Sequence, residues 1–353
     1  MAAAAEARRL DDAPLPLGTG ALEFARLGSF GLESGVTLPE LVVAYRHDGP
    51  APPAAQVLVV HALTGSADAA GDWWAPLIGE GRALDTARVG VLCANLLGGR
   101  YGTSGPTSRD PRTGRPYGSA FPQVTPRDQA RAQWALADAL SIERFALVTG
   151  GSLGGMVALE VALERPAAVE HVVPIAAPAA TGPLAIAWTH LQLRLIECLG
   201  ADGMALARQL AMTTYRSEAD FDGRFGRGTE LDGRHSIVSY LDHQGRKLVE
   251  RFDPDTYRIL AAAMDHHDVG RGRGGVRSAL GRLAEAGVRL TGIGIGGDIL
   301  YGPVQVRARV AEATAAGVDA HYRELRSTKG HDAFLVEWGQ LTAILREARE
   351  VAR

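Results

Sequence analysis

Short, almost wholly apolar runs recur along most of the chain. Strands that are covered on both faces read as continuous apolar segments, so these runs predict parallel β-strands. The predicted strands are ELVVAYR (40–46), QVLVVHA (56–62), VGVLCANLL (89–97), RFALVTG (144–150), VEHVVPIAA (169–177), VRLTGIGIGG (288–297) and, last, AHYRELRS (320–327).

Helical patterns alternate with these strands. They occur in PRDQARAQWALADAL (126–140), in LGGMVALEVALER (153–165) and in a closing helix within 330–352. Alternation of strands and helices predicts an α/β fold with a mostly parallel, doubly wound sheet. Residues 1–20 are predicted to be a flexible N-terminal tail.

The alternation stops between residues 183 and 282. This stretch has helical patterning at 184–200 and 254–267 and no run typical of a buried strand. We therefore expect a core of residues 21–182 and 283–353, interrupted by a helical lid insertion. Such a lid would cover the carboxyl ends of the strands, where open α/β sheets bind ligands.

Composition narrows the class of protein. The chain has 353 residues, 46% hydrophobic and 22% charged, with a formal net charge of −3. These values are typical of a globular protein and predict neither nucleic-acid nor membrane binding. Two cysteines, no apolar leader and no apolar run of about 18 residues favour a soluble cytoplasmic protein. The arginine-rich GRGRGG (270–275) is expected to be a solvated loop.

The run VTGGSLGGM (148–156) contains Gly-x-Ser-x-Gly between a predicted strand and a predicted helix. It holds no lysine, so it is not a Walker A phosphate loop. A Gly-x-Gly-x-x-Gly pattern within 292–297 lies inside a strand and opens no helix. The context instead fits a nucleophile elbow, in which a strained turn exposes a reactive serine. Ser152 is the predicted nucleophile.

A serine nucleophile needs a histidine base and a carboxylate that orients it. On this type of sheet the chain order is serine, acid, histidine. Asp298 follows the predicted strand 288–297, and His331 lies in a loop after the last strand, whereas His321 falls within that strand. We predict a Ser152–Asp298–His331 triad, with a turn or helix-cap role as the alternative for Asp298.

The oxyanion formed during acyl transfer needs preorganised N–H donors. The expected donors are the backbone amides of Leu153, which follows the nucleophile, and of Leu63, in the glycine-containing loop after an early strand. His61 precedes this loop and is expected to shape it. The DHHD run (265–268) suggests a metal cluster, but adjacent helical side chains point about 100° apart. We predict a polar lid patch there and no metal site.

Several motifs together resemble the homoserine O-acetyltransferase family of the α/β-hydrolase fold. They are HALTG (61–65), NLLGGRYGTSGP (95–106), DPRTGRPYG (110–118), GGSLGGM (150–156), SYLDHQGRKLVERFD (239–253) and GHDAFL (330–335). The resemblance implies ping-pong transfer of an acetyl or succinyl group from acyl-CoA to L-homoserine, a reaction of methionine biosynthesis. Acetyl-CoA or succinyl-CoA would be a cosubstrate, with no permanently bound cofactor. The resemblance also implies a homodimer through the lid helices.

The resemblance assigns roles to individual residues. It supports the triad and the oxyanion hole, and it implies that Tyr240 and Asp332 lie near the acceptor, with Asp332 as the partner of the α-ammonium group. The family's carboxylate-binding arginine aligns with Leu193, and Arg194 stands beside it. Arg100 stands where the family usually has cysteine, which would suit a carboxylated acyl group or another acceptor.

These departures leave alternatives open. The chain could be a serine hydrolase of esters or thioesters, or an acyltransferase of the same fold that acts on another acceptor. A third interpretation is a binding protein with an inert pocket, against which the complete triad argues.

Overall fold

A nine-stranded, mostly parallel sheet forms the centre of the described part of the chain, residues 8–9 and 15–350 of a computed structural model. The strands are β1 (Arg8–Arg9), β2 (Leu22–Arg26), β3 (Phe30–Gly31), β4 (Thr37–Leu38), β5 (Val42–Asp48), β6 (Gln56–Val60), β7 (Gly90–Ala94), β8 (Leu147–Gly151), β9 (His171–Ile175), β10 (Arg289–Ile295) and β11 (Ala320–Leu325). Their order in the large sheet is β1-β2-β5-β7-β6-β8-β9-β10-β11, and β3 pairs with β4 separately.

The central strands have the burial that their sequences predict. Every residue of β6, β7, β8 and β9 is buried, and all four strands run parallel to one another. The predicted α/β class with a mostly parallel sheet is confirmed. The segment 40–46 differs in direction, because β5 pairs antiparallel with both β2 and β7.

Helices cover both faces of the sheet and fill the insertion. They are α1 (Pro126–Ala139), α2 (Leu153–Glu164), α3 (Pro183–Tyr215), α4 (Glu218–Arg224), α5 (Ser236–Val249), α6 (Pro254–Asp265), α7 (Val276–Glu285), α8 (Pro303–Ala315) and α9 (Trp338–Glu350). A capping box starts α1: Thr125 Oγ1 accepts a hydrogen bond from Asp128 N, and Asp128 Oδ2 accepts one from Thr125 N. Among the described residues, no helix combines the length and apolarity needed to cross a bilayer.

The insertion between β9 and β10 holds α3 to α6, which we call the lid. The long helix α3 bends at Gly200, whose φ of 59° is not helical, and packs against α5 and α6. Helix α7 instead packs against α2 and α8 of the core, so the expected lid boundary at residue 282 falls inside a core helix. Of the predicted tail (1–20), residues 1–7 and 10–14 lie outside the described part, and β1 pairs parallel with β2.

The arginine-rich loop at 270–275 is mostly exposed, as expected, but the side chain of Arg273 turns inward. Its side chain is only 5% exposed, and Arg273 Nη2 lies 2.7 Å from Glu160 Oε2 and 2.7 Å from Glu164 Oε1 on α2. Arg127 on α1 also contacts Glu160, at 3.2 Å. The loop returning from the lid is therefore fastened to α2 through a buried ion network.

We predict that Arg273→Ala lowers the free energy of unfolding by about 3 kcal/mol, because it leaves the Glu160 carboxylate buried with fewer partners. Urea denaturation measures this change. The matched control is Arg144→Ala, which removes an ion pair with Glu170 from an arginine that is 64% exposed. It should change stability by about 0.5 kcal/mol or less. Equal losses in the two variants would contradict a structural role for the Arg273 network.

Candidate active site

Ser152 occupies the sharp turn between β8 and α2. Its backbone has φ 58° and ψ −125°, a region that residues other than glycine rarely adopt. The strained turn is held by hydrogen bonds from Ser152 N to Ile175 O (2.9 Å) and from Met156 N to Ser152 O (3.0 Å). Backbone strain of this kind concentrates at functional residues, and here it directs the serine into a cavity.

The glycines around Ser152 permit close backbone packing. A Cβ on Gly150 would lie 2.5 Å from Val60 O, and one on Gly154 would lie 2.8 Å from His61 O. A Cβ on Gly155 would lie 2.9 Å from Ile175 O. Glycine is therefore required because the start of α2 lies directly against the ends of β6 and β9.

His331 and Asp298 form a buried pair. His331 Nδ1 lies 2.7 Å from Asp298 Oδ2, and both side chains are almost completely buried. The other oxygen, Asp298 Oδ1, accepts hydrogen bonds from Leu300 N (2.8 Å) and Tyr301 N (3.1 Å). The carboxylate thus has the turn role that we gave as its alternative and also orients the histidine.

His331 lines the same cavity as Ser152 and keeps one ring nitrogen without a partner among the described residues. This nitrogen, Nε2, is buried. Burial alone would lower the pKa of His331, but the charge and hydrogen bond of Asp298, with the charge of Asp332, raise it above 6.5. The arrangement suits a general base that takes a proton at Nε2.

The loop after β6 brings Leu63 into the same cavity, and Leu153 begins α2 beside it. His61 shapes this loop: its Nε2 accepts a hydrogen bond from Leu96 N (3.0 Å), so its Nδ1 carries the proton donated to Ala62 O (2.7 Å). Burial lowers the pKa of His61 to about 4, so this ring is neutral. Both ring nitrogens are used in hydrogen bonds to the backbone, which leaves His61 no role as a base.

Arg251 joins the lid to this loop, a contact that the sequence analysis missed. Its Nη1 donates to Thr64 O (2.8 Å), and its Nη2 lies 3.3 Å from Thr64 Oγ1. Thr64 is the residue after Leu63, so the lid fixes the loop at the predicted oxyanion donor. The ERFD run (250–253) within the lid motif was the available signal.

The cavity has a volume of about 750 Å³, a size suited to a small-molecule ligand. Its lining combines apolar side chains with charged ones. The charged side chains are Arg46, Asp68, Asp72, Arg208, Lys247, Arg251 and Asp332, together with the imidazole of His331. A polar or ionic ligand is therefore expected.

Of the predicted acceptor residues, the structure brings only Asp332 to the cavity. Tyr240, Arg194 and Arg100 are not among its described lining residues. Arg194 is 54% exposed and pairs with Glu197 on the outside of α3. These assignments need correction.

The corrections have local physical causes. Tyr240 packs against Phe225, with ring centroids 5.1 Å apart, and lies two helical turns, about 10 Å, before the cavity-lining Lys247 of α5. Tyr101 has φ 68° and lines the cavity, so its turn presents Tyr101 rather than Arg100. Arg194 precedes the bend at Gly200, which separates it from the part of α3 that reaches the cavity.

Arg208 and Tyr215 lie at the cavity, where the sequence analysis had placed Arg194 and Tyr240. They are seven residues apart on α3, which puts them on one helix face, and both line the cavity with Asp332. The Arg208 guanidinium carbon lies 5.3 Å from the Tyr215 ring centroid. Burial raises the pKa of Tyr215, so its phenol stays protonated. The seven-residue spacing of Arg208 and Tyr215 was the sequence signal that could have identified them.

The DHHD run is only in part the polar lid patch that we expected, because His266 is exposed but His267 is not. His267 is buried, and its Nε2 lies 2.9 Å from Pro178 O, while Asp268 Oδ1 accepts from Gly270 N at 2.8 Å. Within residues 15–348, no three His, Cys, Asp or Glu side chains are grouped so that they could hold a metal ion. The run is a structural part of the junction between lid and core.

Comparisons with known proteins agree with this architecture. A family model described as "alpha/beta hydrolase fold" matches residues 56–197. A homoserine O-acetyltransferase of Thermus thermophilus is 45% identical, with 94% of this chain and 92% of that protein covered. That of Moorella thermoacetica is 41% identical, with 89% and 92% covered. The crystal structure of a homoserine O-acetyltransferase from Bacillus anthracis has a TM-score of 0.86 at 22% identity, covering 93% of this chain and 97% of that one.

We predict that a fluorophosphonate probe labels Ser152 at a rate that falls as pH falls through the raised pKa of His331, because only the neutral imidazole accepts the serine proton. Labelling is followed by intact mass spectrometry between pH values of about 5 and 9. In Asp298→Asn the charge and the carboxylate hydrogen bond of Asp298 are lost, while burial and the weaker effect of the Asp332 charge remain. The midpoint should therefore move to lower pH, and the plateau rate should fall by about 10⁴. An unchanged midpoint would contradict the pairing as the cause of the shift.

Proposed function

This chain belongs to the homoserine O-acetyltransferase family of the α/β-hydrolase fold, and on that premise we propose that it is an acyl-CoA-dependent O-acyltransferase. The proposed acceptor is the hydroxyl of L-homoserine or a similar small hydroxy amino acid, and the acyl group is acetyl or succinyl. The observation that carries the proposal is one cavity lined by Ser152, His331, Arg208 and Asp332. These side chains combine a nucleophile and its base with one cation and one anion.

The proposed reaction proceeds in two half-reactions. His331 Nε2 takes the Ser152 hydroxyl proton while Oγ attacks the thioester carbonyl, and the Leu63 and Leu153 amides stabilise the oxyanion. The C–S bond breaks, and coenzyme A leaves as a thiol with the proton from His331. His331 then takes the acceptor's hydroxyl proton, the acceptor oxygen attacks the acyl-serine, and Ser152 regains the proton. Acyl-CoA is thus a cosubstrate, and no cofactor is retained.

The charged lining supports an amino-acid acceptor. Arg208 offers a planar pair of N–H donors that suit the α-carboxylate, and Asp332 offers a carboxylate for the α-ammonium group. Tyr215 lies beside both, and burial keeps its phenol able to donate. In this arrangement the acceptor's side-chain hydroxyl points towards Ser152.

Transfer of the acyl group to the acceptor must be faster than hydrolysis of the acyl-serine. The lid supports this by covering the cavity through α3 and α5. Exclusion of bulk water strengthens the interactions inside such a site and limits the side reaction.

We also propose a homodimer through the lid. Two exposed leucines, Leu184 and Leu191, are seven residues apart on the part of α3 that precedes the bend at Gly200. This spacing makes an apolar stripe on a helix, a surface that a second copy of the chain could cover.

We expect a dimer in sedimentation velocity, and a monomer for Leu191→Glu, because the charge would be buried in the contact. Leu231→Glu is the control, since Leu231 is exposed but lies outside α3. A dimer that tolerates Leu191→Glu would exclude this surface.

The central test measures thiol release from acetyl-CoA and succinyl-CoA with and without L-homoserine. We expect release to depend on homoserine and to fall at least about 10³-fold in Ser152→Ala. Arg208→Met should raise the acceptor KM by about 100-fold while sparing the acceptor-independent burst of thiol, because it removes only the carboxylate contact. Release at the same rate without any acceptor would identify a hydrolase instead.

A further inference from the structure

Asp332 already has a cationic partner within the protein. Arg216, which directly follows the last residue of α3, lies with its Nη2 3.2 Å from Asp332 Oδ2. Among the ion pairs of the described residues, this is the pair that Asp332 makes. The carboxylate that faces the cavity is therefore largely neutralised before a ligand arrives.

Arg216 also has a second carboxylate within reach. Its Nη1 lies 3.7 Å from Asp220 Oδ2 on α4, too far for a hydrogen bond. That oxygen is buried and accepts no hydrogen bond from the described residues, and Arg216 Nε is likewise buried without a partner among them. The guanidinium can thus form a better contact with Asp220 by a small side-chain movement.

The charge on Asp220 does not depend on Arg216 alone. Lys329 Nζ lies 2.7 Å from Asp220 Oδ1, and Arg224 Nη1 lies 3.6 Å from Oδ2. Burial would raise the pKa of Asp220, but Lys329, Arg216 and Arg224 outweigh it and hold the pKa below its usual value. Asp220 therefore stays ionised and ready to receive Arg216.

The backbone around this pair is fixed. Gly330, next to His331, has φ 67°, and a Cβ there would lie 2.6 Å from Ser217 N and 2.8 Å from the Arg216 carbonyl carbon. The end of α3 and the histidine loop thus meet backbone to backbone. An exchange of partners at Asp332 must occur through the Arg216 side chain alone.

We propose that Arg216 is a specificity-determining residue that neutralises Asp332 in the free protein and transfers to Asp220 when an ammonium group arrives. This inference rests on the proposed function, because it concerns the same acceptor. Its consequence is that the ammonium group replaces an existing cation rather than meeting an uncompensated anion. The protein should therefore discriminate only weakly between an aminated acceptor and the same acceptor without its amino group.

The test compares L-homoserine with 4-hydroxybutanoate, which lacks only the amino group, by calorimetry on the full-length Ser152→Ala protein. With Arg216 present, the two dissociation constants should differ by less than about tenfold. In Arg216→Gln, Asp332 loses its partner, and only homoserine restores one. The preference for homoserine should then increase at least about tenfold.

Three variants serve as controls. Arg224→Gln removes the other guanidinium near Asp220 without touching Asp332, so the preference should stay as it was. Arg216→Lys keeps the cation and should retain the weak preference. Asp332→Asn should bring the preference close to one.

The outcomes separate the two proposals. If homoserine binds but Arg216→Gln leaves the preference unchanged, or if Arg224→Gln changes it equally, the role of Arg216 is overturned and the acceptor stands. A preference above about 100-fold with Arg216 present also overturns it, and this measurement needs no Arg216 variant to fold. If homoserine does not bind at all, the proposed acceptor is wrong, and this inference falls with it.

Discussion

The site depends on the direct backbone contact between the end of β6 and the beginning of α2. Only glycine fits at positions 150 and 154, because the carbonyl oxygens of Val60 and His61 occupy the space of a side chain. Strand β6 continues into the loop of Leu63, and α2 begins with Leu153 directly after Ser152. One steric constraint therefore brings the nucleophile and both predicted oxyanion donors together, and parallel strands supply it because their carboxyl ends share an edge.

The sheet and the lid contribute different chemistry. Loops that follow strands supply Ser152, Asp298 and His331, and the hydrogen bonds of the acid and the base are short and buried. The lid supplies the cations Arg208, Arg216 and Arg251, each directed at the cavity or at a loop that lines it. In the proposed function the reactive centre is thus built on the sheet, and ligand recognition on the inserted helices, an arrangement that lets one fold serve several acceptors.

Local patterns in the sequence predicted the strands and the loops that follow them. Ser152, Asp298 and His331 each lie just after a strand that is recognisable from its own residues, and chain order assigned their roles. Arg208 was missed and Arg194 chosen because both lie on α3, and the bend at Gly200 decides which part of that helix meets the cavity. The inward contact of Arg273 was missed for a related reason, since its partners on α2 are more than a hundred residues away in the sequence. Contacts of that kind depend on tertiary packing, which leaves no periodic pattern in a single sequence.

The bond between Arg251 and Thr64 couples two properties that are usually treated separately. A displacement of the lid wide enough to admit bulk solvent separates Arg251 from Thr64, and the loop that carries Leu63 then loses its anchor. With Leu63 as the proposed oxyanion donor, the form of the protein that admits water would also be the less reactive form. The contact therefore couples closure of the lid to the order of that loop. A variant designed for hydrolysis would have to anchor the loop through a residue of the core instead.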